Sequence, residues 1–295
     1  MKVLVSGSSG LIGSALLPVL TAAGHQTTRL VRKQGTAGVF WNPDEDVIDA
    51  AALEGFDAVV HLAGESIAAR RWTPMQKAKI TDSRVKGTRL LAGALAKLQR
   101  RPAVFVSASA IGYYGDRGDE VLTEESASGR GFLPEVCRLW ESAASAAAPD
   151  IRIVHPRTGI VLAKNGGALP RMALPFRMGV GGRIGSGRQY MSWIALDDLT
   201  RIILYCIENP TIRGAVNAVA PSPVTNAEFT KVLGRVLSRP ALFPLPAFAA
   251  RLALGEMANE LLLASNRVVP SKLLAAGFTY RHTDLEEALR STLKP

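Results

Sequence analysis

Three glycines at positions 7, 10 and 13, in the run Gly7-Ser8-Ser9-Gly10-Leu11-Ile12-Gly13, follow a short apolar run and open a helical pattern. That spacing suits a phosphate cradle. Gly7 permits a tight turn, Gly10 lets the backbone approach a pyrophosphate, and Gly13 lets the helix pack closely on its strand. The N–H groups of the first helical turn, from Ser9 through Leu11 and Ile12, then face the phosphates together with the positive end of the helix dipole. The chemistry implied is dinucleotide binding.

The next strand ends Thr27-Thr28-Arg29-Leu30-Val31-Arg32-Lys33. Chains that bind NAD place Asp or Glu at this end for the ribose hydroxyls, whereas chains that bind NADP place Arg near the 2′-phosphate. Here Val31 holds the acidic position and Arg32 and Lys33 follow. No carboxylate repels a phosphate, and a guanidinium grips one bidentately. The pattern favours NADPH over NADH; the bland alternative is a solvated basic strand end.

These residues need a sheet to hold them, and the pattern supplies one. Lys2–Ser6, Gln26–Arg32, Ala58–Leu62, Ala103–Ala108 and Ile151–His155 read as strands, with a weaker one at Val39–Trp41. Leu11–Ala23, Met75–Leu98 and Phe132–Ala147 carry helical periodicity between them. Such alternation predicts an α/β fold, a Rossmann-type doubly wound parallel sheet, with a smaller, mostly α C-terminal substrate domain. Lys164–Arg188 is rich in glycine and arginine and is expected to be an irregular functional loop region. Asp197–Glu208 and Asn226–Leu237 read as helices, Ala215–Val219 as a strand, and the tail as a helix from Asp284. The expected division is 1–163 for NADP, with 190–220 returning to it, and 164–189 with 221–295 for substrate.

Bulk composition narrows the classes. Hydrophobic residues at 47% and charged residues at 20% suit a soluble globular chain. Cys137 and Cys206 cannot form a disulfide framework and suggest a reducing cytoplasm. Neither a signal peptide nor a membrane partner is expected, because Ala241–Ser265 is interrupted by Pro244, Pro246, Arg251, Glu256 and Glu260. The net charge of +10 is scattered, with no nucleic-acid motif, so an anionic cofactor or substrate explains it better than nucleic acid. His61 and His155 have no ligand partners at metal spacing, and no metal is expected.

Further motifs then carry a resemblance. They include His61-Leu62-Ala63-Gly64-Glu65, Arg71-Trp72-Thr73, Asp82-Ser83-Arg84-Val85-Lys86-Gly87-Thr88, and Ser107-Ala108-Ser109-Ala110-Ile111-Gly112-Tyr113-Tyr114-Gly115. Pro156-Arg157-Thr158-Gly159, Ser192-Trp193-Ile194, Arg267-Val268-Val269-Pro270 and Gly277-Phe278 extend it nearly end to end. The chain resembles the extended and atypical short-chain dehydrogenase/reductases, specifically the epimerase-family proteins related to nucleotide-sugar epimerases. The resemblance implies that His61–Gly64 pass beneath the adenine side of the cofactor, with Leu62, Ala63, Gly64 and Glu65 among the residues that bind it. It implies that Ser109 hydrogen-bonds the reacting carbonyl or alcohol, and that Pro156 and Arg157 lie near nicotinamide and substrate. Relatives often pair as homodimers through two helices, but no apolar helix face here is reserved for that.

The sequence also departs from that family's pattern. Ordinary members use Tyr-x-x-x-Lys on a helix, the lysine lowering the tyrosine's pKa for proton transfer. Anchored on Glu141, the tyrosine position here is Leu133 and the lysine position Cys137, and the usual Asn is Arg84. Tyr113 and Arg117 are four apart but sit in a glycine-rich loop. Tyr114 is the better acid/base candidate, or else an aromatic wall. Cys137 is a candidate thiol nucleophile, or a buried small apolar residue. Arg84 either binds an anionic group and replaces the usual charge network or snorkels on the helix surface. Arg171, Arg177, Arg183 and Arg188 are candidate clamps for a substrate anion. Two functions follow: an NADP(H)-dependent oxidoreductase or epimerase with a modified proton-transfer group, or a catalytically inactive NADPH-binding sensor.

Overall fold

The computed structural model describes residues 1–293. Strand β1 (Lys2–Ser6) leads through the glycine run into helix α1 (Leu11–Ala22), followed by β2 (Gln26–Val31). Strands β3 (Val39–Asn42) and β4 (Val47–Ile48) pair antiparallel ahead of β5 (Ala58–His61). Then come α2 (Pro74–Ala96), β6 (Val104–Ser107) and the short strands β7 (Ser109–Ala110) and β8 (Val121–Leu122). Helix α3 (Phe132–Ala144) precedes β9 (Arg152–Thr158), β10 (Ile160–Leu162) and α4 (Leu169–Arg177). Beyond it lie β11 (Tyr190–Met191), β12 (Trp193–Ala195), α5 (Leu196–Glu208), β13 (Gly214–Ala218), β14 (Val224–Thr225) and α6 (Asn226–Val236). The chain closes with α7 (Ala247–Leu254), α8 (Glu256–Ala258), a π-helical turn at Asn259–Leu263, β15 (Arg267–Val268), α9 (Ser271–Ala275) and α10 (Leu285–Leu293).

The described residues fall into two compact units. The first comprises 1–109, 136–156 and 200–216; the second comprises 110–135, 157–199 and 217 onward. Residues 110–135, expected with the nucleotide-binding half, cluster with the second unit. Lys294 and Pro295, the end of the expected substrate domain, lie outside the described residues.

The main sheet has nine strands in the order β13-β9-β6-β5-β1-β2-β3-β4, with β7 on β9. Neighbours from β3 through β2, β1, β5 and β6 to β9 are parallel. This is the doubly wound Rossmann arrangement expected from the sequence. Val3–Val5, Ala58–Val60 and Val104–Val106 are fully or almost fully buried, as parallel strands covered on both faces require. Leu4, Trp41, Val59, Leu91 and Phe105 form the centre of the first unit's core. In the second unit Trp193, Phe229, Leu169 and Leu289 do the same.

Local signals set the helix starts. Thr73 caps α2 by accepting from the Gln76 N–H at 3.2 Å, with Pro74 opening the helix. Thr225 and Glu228 form a capping box on α6, and the amide and hydroxyl of Thr225 hold the Glu228 carboxyl below the usual range.

Two expectations need correction. Lys164–Arg188 is not wholly irregular, because Leu169–Arg177 is helical. Pro170 suits its first turn, and Leu169, Ala173 and Phe176 give it a buried stripe at helical spacing. The sixth long strand does not stop before Pro156 but runs to Thr158. Its paired register with β6 ends at Val154, two residues before Pro156, which has no N–H to give a ladder. Among the described residues no helix is long and apolar enough to cross a membrane.

Candidate cofactor and proton-transfer site

Sheet order puts β1 between β2 and β5, which makes its carboxyl end the topological switch point. The chain leaves β1 through Gly7, at φ 64°, and leaves β5 through Leu62. The two exits touch. A Cβ at Gly7 would stand 2.7 Å from the Leu62 carbonyl carbon, and one at Gly13 would stand 2.3 Å from the Gly7 oxygen. The Gly10 N–H closes the turn on the Gly7 carbonyl at 3.0 Å. Gly10 then caps α1 with no side-chain hydrogen bond and no acidic residue in the first turn. Ser9 and Gly10 are exposed and Leu11 and Ile12 half-exposed. The result is a backbone cradle with a positive dipole end and room for an oxyanion.

Beneath the cradle lies a residue that the sequence did not single out. The Ser6 hydroxyl oxygen accepts from the Leu62 N–H at 3.1 Å and the Ala63 N–H at 3.4 Å. It also shares a hydrogen bond with Nδ1 of His61, 2.6 Å away. The imidazole meets the Trp41 ring edge-on at 5.7 Å between centroids, and its buried Nε2 has no hydrogen-bond partner among the described residues. Burial lowers the His61 pKa to about 4, so the ring is neutral. Ser6 therefore ties the end of β1 to the segment Leu62–Gly64.

Arg84 is ordered against that segment rather than loose on the helix. Its Nη1 donates to the Glu65 carbonyl at 2.9 Å and the Ile80 carbonyl at 3.0 Å. A Cβ at Gly64 would lie 3.3 Å from the Arg84 guanidinium carbon, so the absence of a side chain there admits the arginine. The guanidinium also lies 4.9 Å from the centroid of Trp140 on α3. Desolvation lowers its pKa, while Cys137 and Glu65 act to raise it. Ser83 fixes the loop by accepting from the Glu65 N–H at 3.0 Å. Arg32 and Lys33 are both exposed just past β2.

Ser109, almost wholly buried, donates its hydroxyl proton to Oε1 of Glu141 on α3 at 2.6 Å. Glu141 entered the sequence reading only as the anchor for an alignment. Leu133 and Cys137 are buried on the same helix. The buried Ser107 hydroxyl on β6 has no hydrogen-bond partner. Pro156 closes the first unit's share of β9.

Two other candidates belong to the second unit, and the geometry there argues against the acid/base role expected for Tyr114. The Tyr114 ring is fully buried, and its hydroxyl donates to Asn217 Oδ1 at 2.6 Å while accepting from Arg157 at 3.0 Å. Desolvation raises its pKa, against the opposing pull of Arg157. The Arg157 guanidinium is also buried, 3.4 Å from the Tyr113 ring centroid. Glu124 completes the network by accepting from the Asn217 N–H at 3.0 Å. The one hydroxyl of Tyr114 is engaged as donor and as acceptor within a packed cluster. Among the described residues no group of three or more His, Cys, Asp or Glu is placed to hold a metal.

The NAD-dependent epimerase/dehydratase family model matches residues 3–218, most of the chain. The chain belongs to this family. Within this epimerase family it also carries, at residues 245–292, a domain of unknown function, DUF1731. It is 46% identical over 290 residues to the epimerase family protein Mb2239 of Mycobacterium bovis, covering 97% of this chain and 96% of that one. It is 38% identical over 293 residues to the human epimerase family protein SDR39U1, covering 98% and 99%. The crystal structure of human SDR39U1 (isoform 2) with NADPH superimposes with a TM-score of 0.92 at 37% identity, covering 99% of both chains.

Proposed function

We propose that this epimerase-family chain is an NADP(H)-dependent oxidoreductase or epimerase acting on a small anionic carbonyl or alcohol compound. The observation that carries the reading is the cradle at the end of β1, where a Cβ at Gly7 or Gly13 would collide with backbone. Ser9, Gly10, Leu11, Ile12 and Gly13 would offer it to the pyrophosphate, and Leu62–Glu65 would run beside the adenosine. Arg32 and Lys33 would grip the 2′-phosphate. The NADPH in the human relative's crystal structure supports that choice of nucleotide.

When bound, the nicotinamide supplies or accepts a hydride. The chain's own residues handle the proton. In the oxidising direction Ser109 takes the proton of the substrate hydroxyl while its own moves to the Glu141 carboxylate, 2.6 Å away. In the reducing direction both transfers reverse, and Glu141 recovers its proton from solvent. Arg84, electrostatically coupled to Cys137, supplies positive charge near the position where ordinary relatives carry lysine.

The test is a fluorescence titration of nucleotide-free protein with NADPH and NADH, repeated on Arg32→Ala. NADPH is expected to bind at least ~10-fold tighter, about 1.4 kcal/mol, with the gap lost in the variant. Failure of both nucleotides to bind would overturn the reading.

A second reading, an NADPH-binding sensor without turnover, is favoured by Leu133 and Cys137 at the usual tyrosine and lysine positions. It predicts a protein partner whose affinity shifts with NADPH, since such coupling is reciprocal. Oxidation of bound NADPH by any member of a carbonyl panel, lost in Ser109→Ala, decides for the enzyme.

A further inference from the structure

More than half of the large apolar side chains exposed among the described residues sit in two short stretches of the second unit. One is the end of α4 and the turn after it, with Leu174 and Met178; the other runs from Leu242 and Phe243 into α7, with Phe248 and Leu252. Backbone bonds join the stretches into one surface. The Phe243 N–H donates to the Gly181 carbonyl at 3.1 Å, the Leu245 N–H to Arg183 at 2.8 Å, and the Gly185 N–H to Leu245 at 2.8 Å.

The charge on this surface is one-sided. Residues 164–188 and 239–255 contain seven lysines and arginines and no Asp or Glu, in a chain with 25 acidic residues. Arg171, Arg177, Arg183 and Arg251 among them are exposed. The apolar side chains on α7 stand proud: Phe248 and Leu252 keep 72% and 78% of their surface, while Leu242, which borders a pocket with Arg183 and Arg239, keeps 73%. On α7, Phe248 and Leu252 are one helical turn apart with Arg251 beside them, while Ala250 faces inward.

We propose that this surface docks on an anionic lipid bilayer, with Phe248, Leu252, Leu242 and Met178 entering the acyl boundary and the arginines meeting lipid phosphates. A protein partner would need a matching concave surface for such projecting side chains, whereas fluid hydrocarbon needs none. The uniform positive charge complements an anionic headgroup layer.

The test is co-sedimentation of the full chain with vesicles of phosphatidylcholine alone and of phosphatidylcholine mixed with phosphatidylglycerol. Binding is expected to the mixed vesicles only and to weaken with added salt. The double variant Phe248→Ser, Leu252→Ser should bind at least ~10-fold more weakly. Arg171→Glu with Arg177→Glu should lose a similar factor. Each altered side chain is exposed, and an unchanged melting transition verifies folding. A single Phe248→Trp reporter should shift its emission to the blue with mixed vesicles. Three results overturn the proposal: no binding to either vesicle, equal binding to both, or binding that survives both double variants. Sedimentation velocity that shows a dimer broken by Phe248→Ser, Leu252→Ser, without vesicle binding, also overturns it and assigns the surface to a second copy.

Discussion

Ser6 and His61, 55 residues apart in sequence, share a buried hydrogen bond of 2.6 Å between the serine hydroxyl and Nδ1. The same oxygen accepts the N–H groups of Leu62 and Ala63, so one hydroxyl serves both strand exits at the cradle.

Stability should therefore fall in mild acid. The His61 pKa is about 4 in the fold against 6.5 for the free side chain. Below 6.5 the unfolded chain binds a proton that the folded chain refuses. The contribution is complete above pH 6.5 and is lost as pH falls to about 4, by up to about 3 kcal/mol. Denaturation midpoints across that window should show a flatter slope for His61→Asn, whose amide group takes the place of Nδ1 beside Ser6. An unchanged slope would assign the titration to another group.

Glu141→Gln should bind NADPH as the parent does but lose most turnover of any carbonyl that the parent reduces, by a factor of about 10² or more. Ser109→Ala should match it, and the double variant should add little, because the two act as one relay. Losses that multiply would separate their roles and remove the relay.

Gly13→Ala tests the cradle directly. The new methyl would meet the Gly7 oxygen at 2.3 Å and the Ser8 Cα at 2.7 Å, so backbone must move. A stability loss of about 2 kcal/mol or more and loss of NADPH binding are expected. Gly93→Ala, within α2 with open space at its Cβ, should instead gain up to about 1 kcal/mol and keep binding.

For Tyr114→Phe the expectation is structural. Arg157 and Asn217 each lose a buried partner, at a cost of about 1–3 kcal/mol, read from thermal unfolding. Nucleotide affinity should hold. A pH-rate profile that lost a limb in this variant would restore Tyr114 as an acid/base group.

Both cysteines should resist labelling in the native state. Cys206 is fully buried and its thiol is pushed up to about 12, and Cys137 is buried on α3. A thiol reagent should modify neither until denaturant is added, when both react. Rapid native labelling of Cys137 would revive its reading as a nucleophile.

Legibility in the sequence followed the range of the interactions. Val3–Val5, Val59–Val60 and Val104–Val106 announce covered strands because a parallel strand's environment is written in its own residues. Gly7 and Gly13 were readable because the turn that needs them is local. The Ser6–His61 and Ser109–Glu141 bonds were not, since sheet register and helix packing bring each pair together across 55 and 32 residues. Helix α4 was masked by glycines on both sides of its buried stripe. The partners of Tyr114 were hidden because sequence gives its neighbours along the chain but not Asn217 and Arg157 across it.

Arg84 lies close enough to Cys137 for each to feel the other's charge, and over the ring of Trp140 one turn further along α3. An ammonium placed at 137 would therefore meet a guanidinium already fixed by the Glu65 and Ile80 carbonyls. The two cations are therefore alternatives at this place in the fold. Cys137→Lys alone would set like charges together, and Arg84→Asn alone would leave the neighbourhood without a cation. Ancestral reconstruction should find the two sites changing as an epistatic pair, with the single-step intermediates disfavoured.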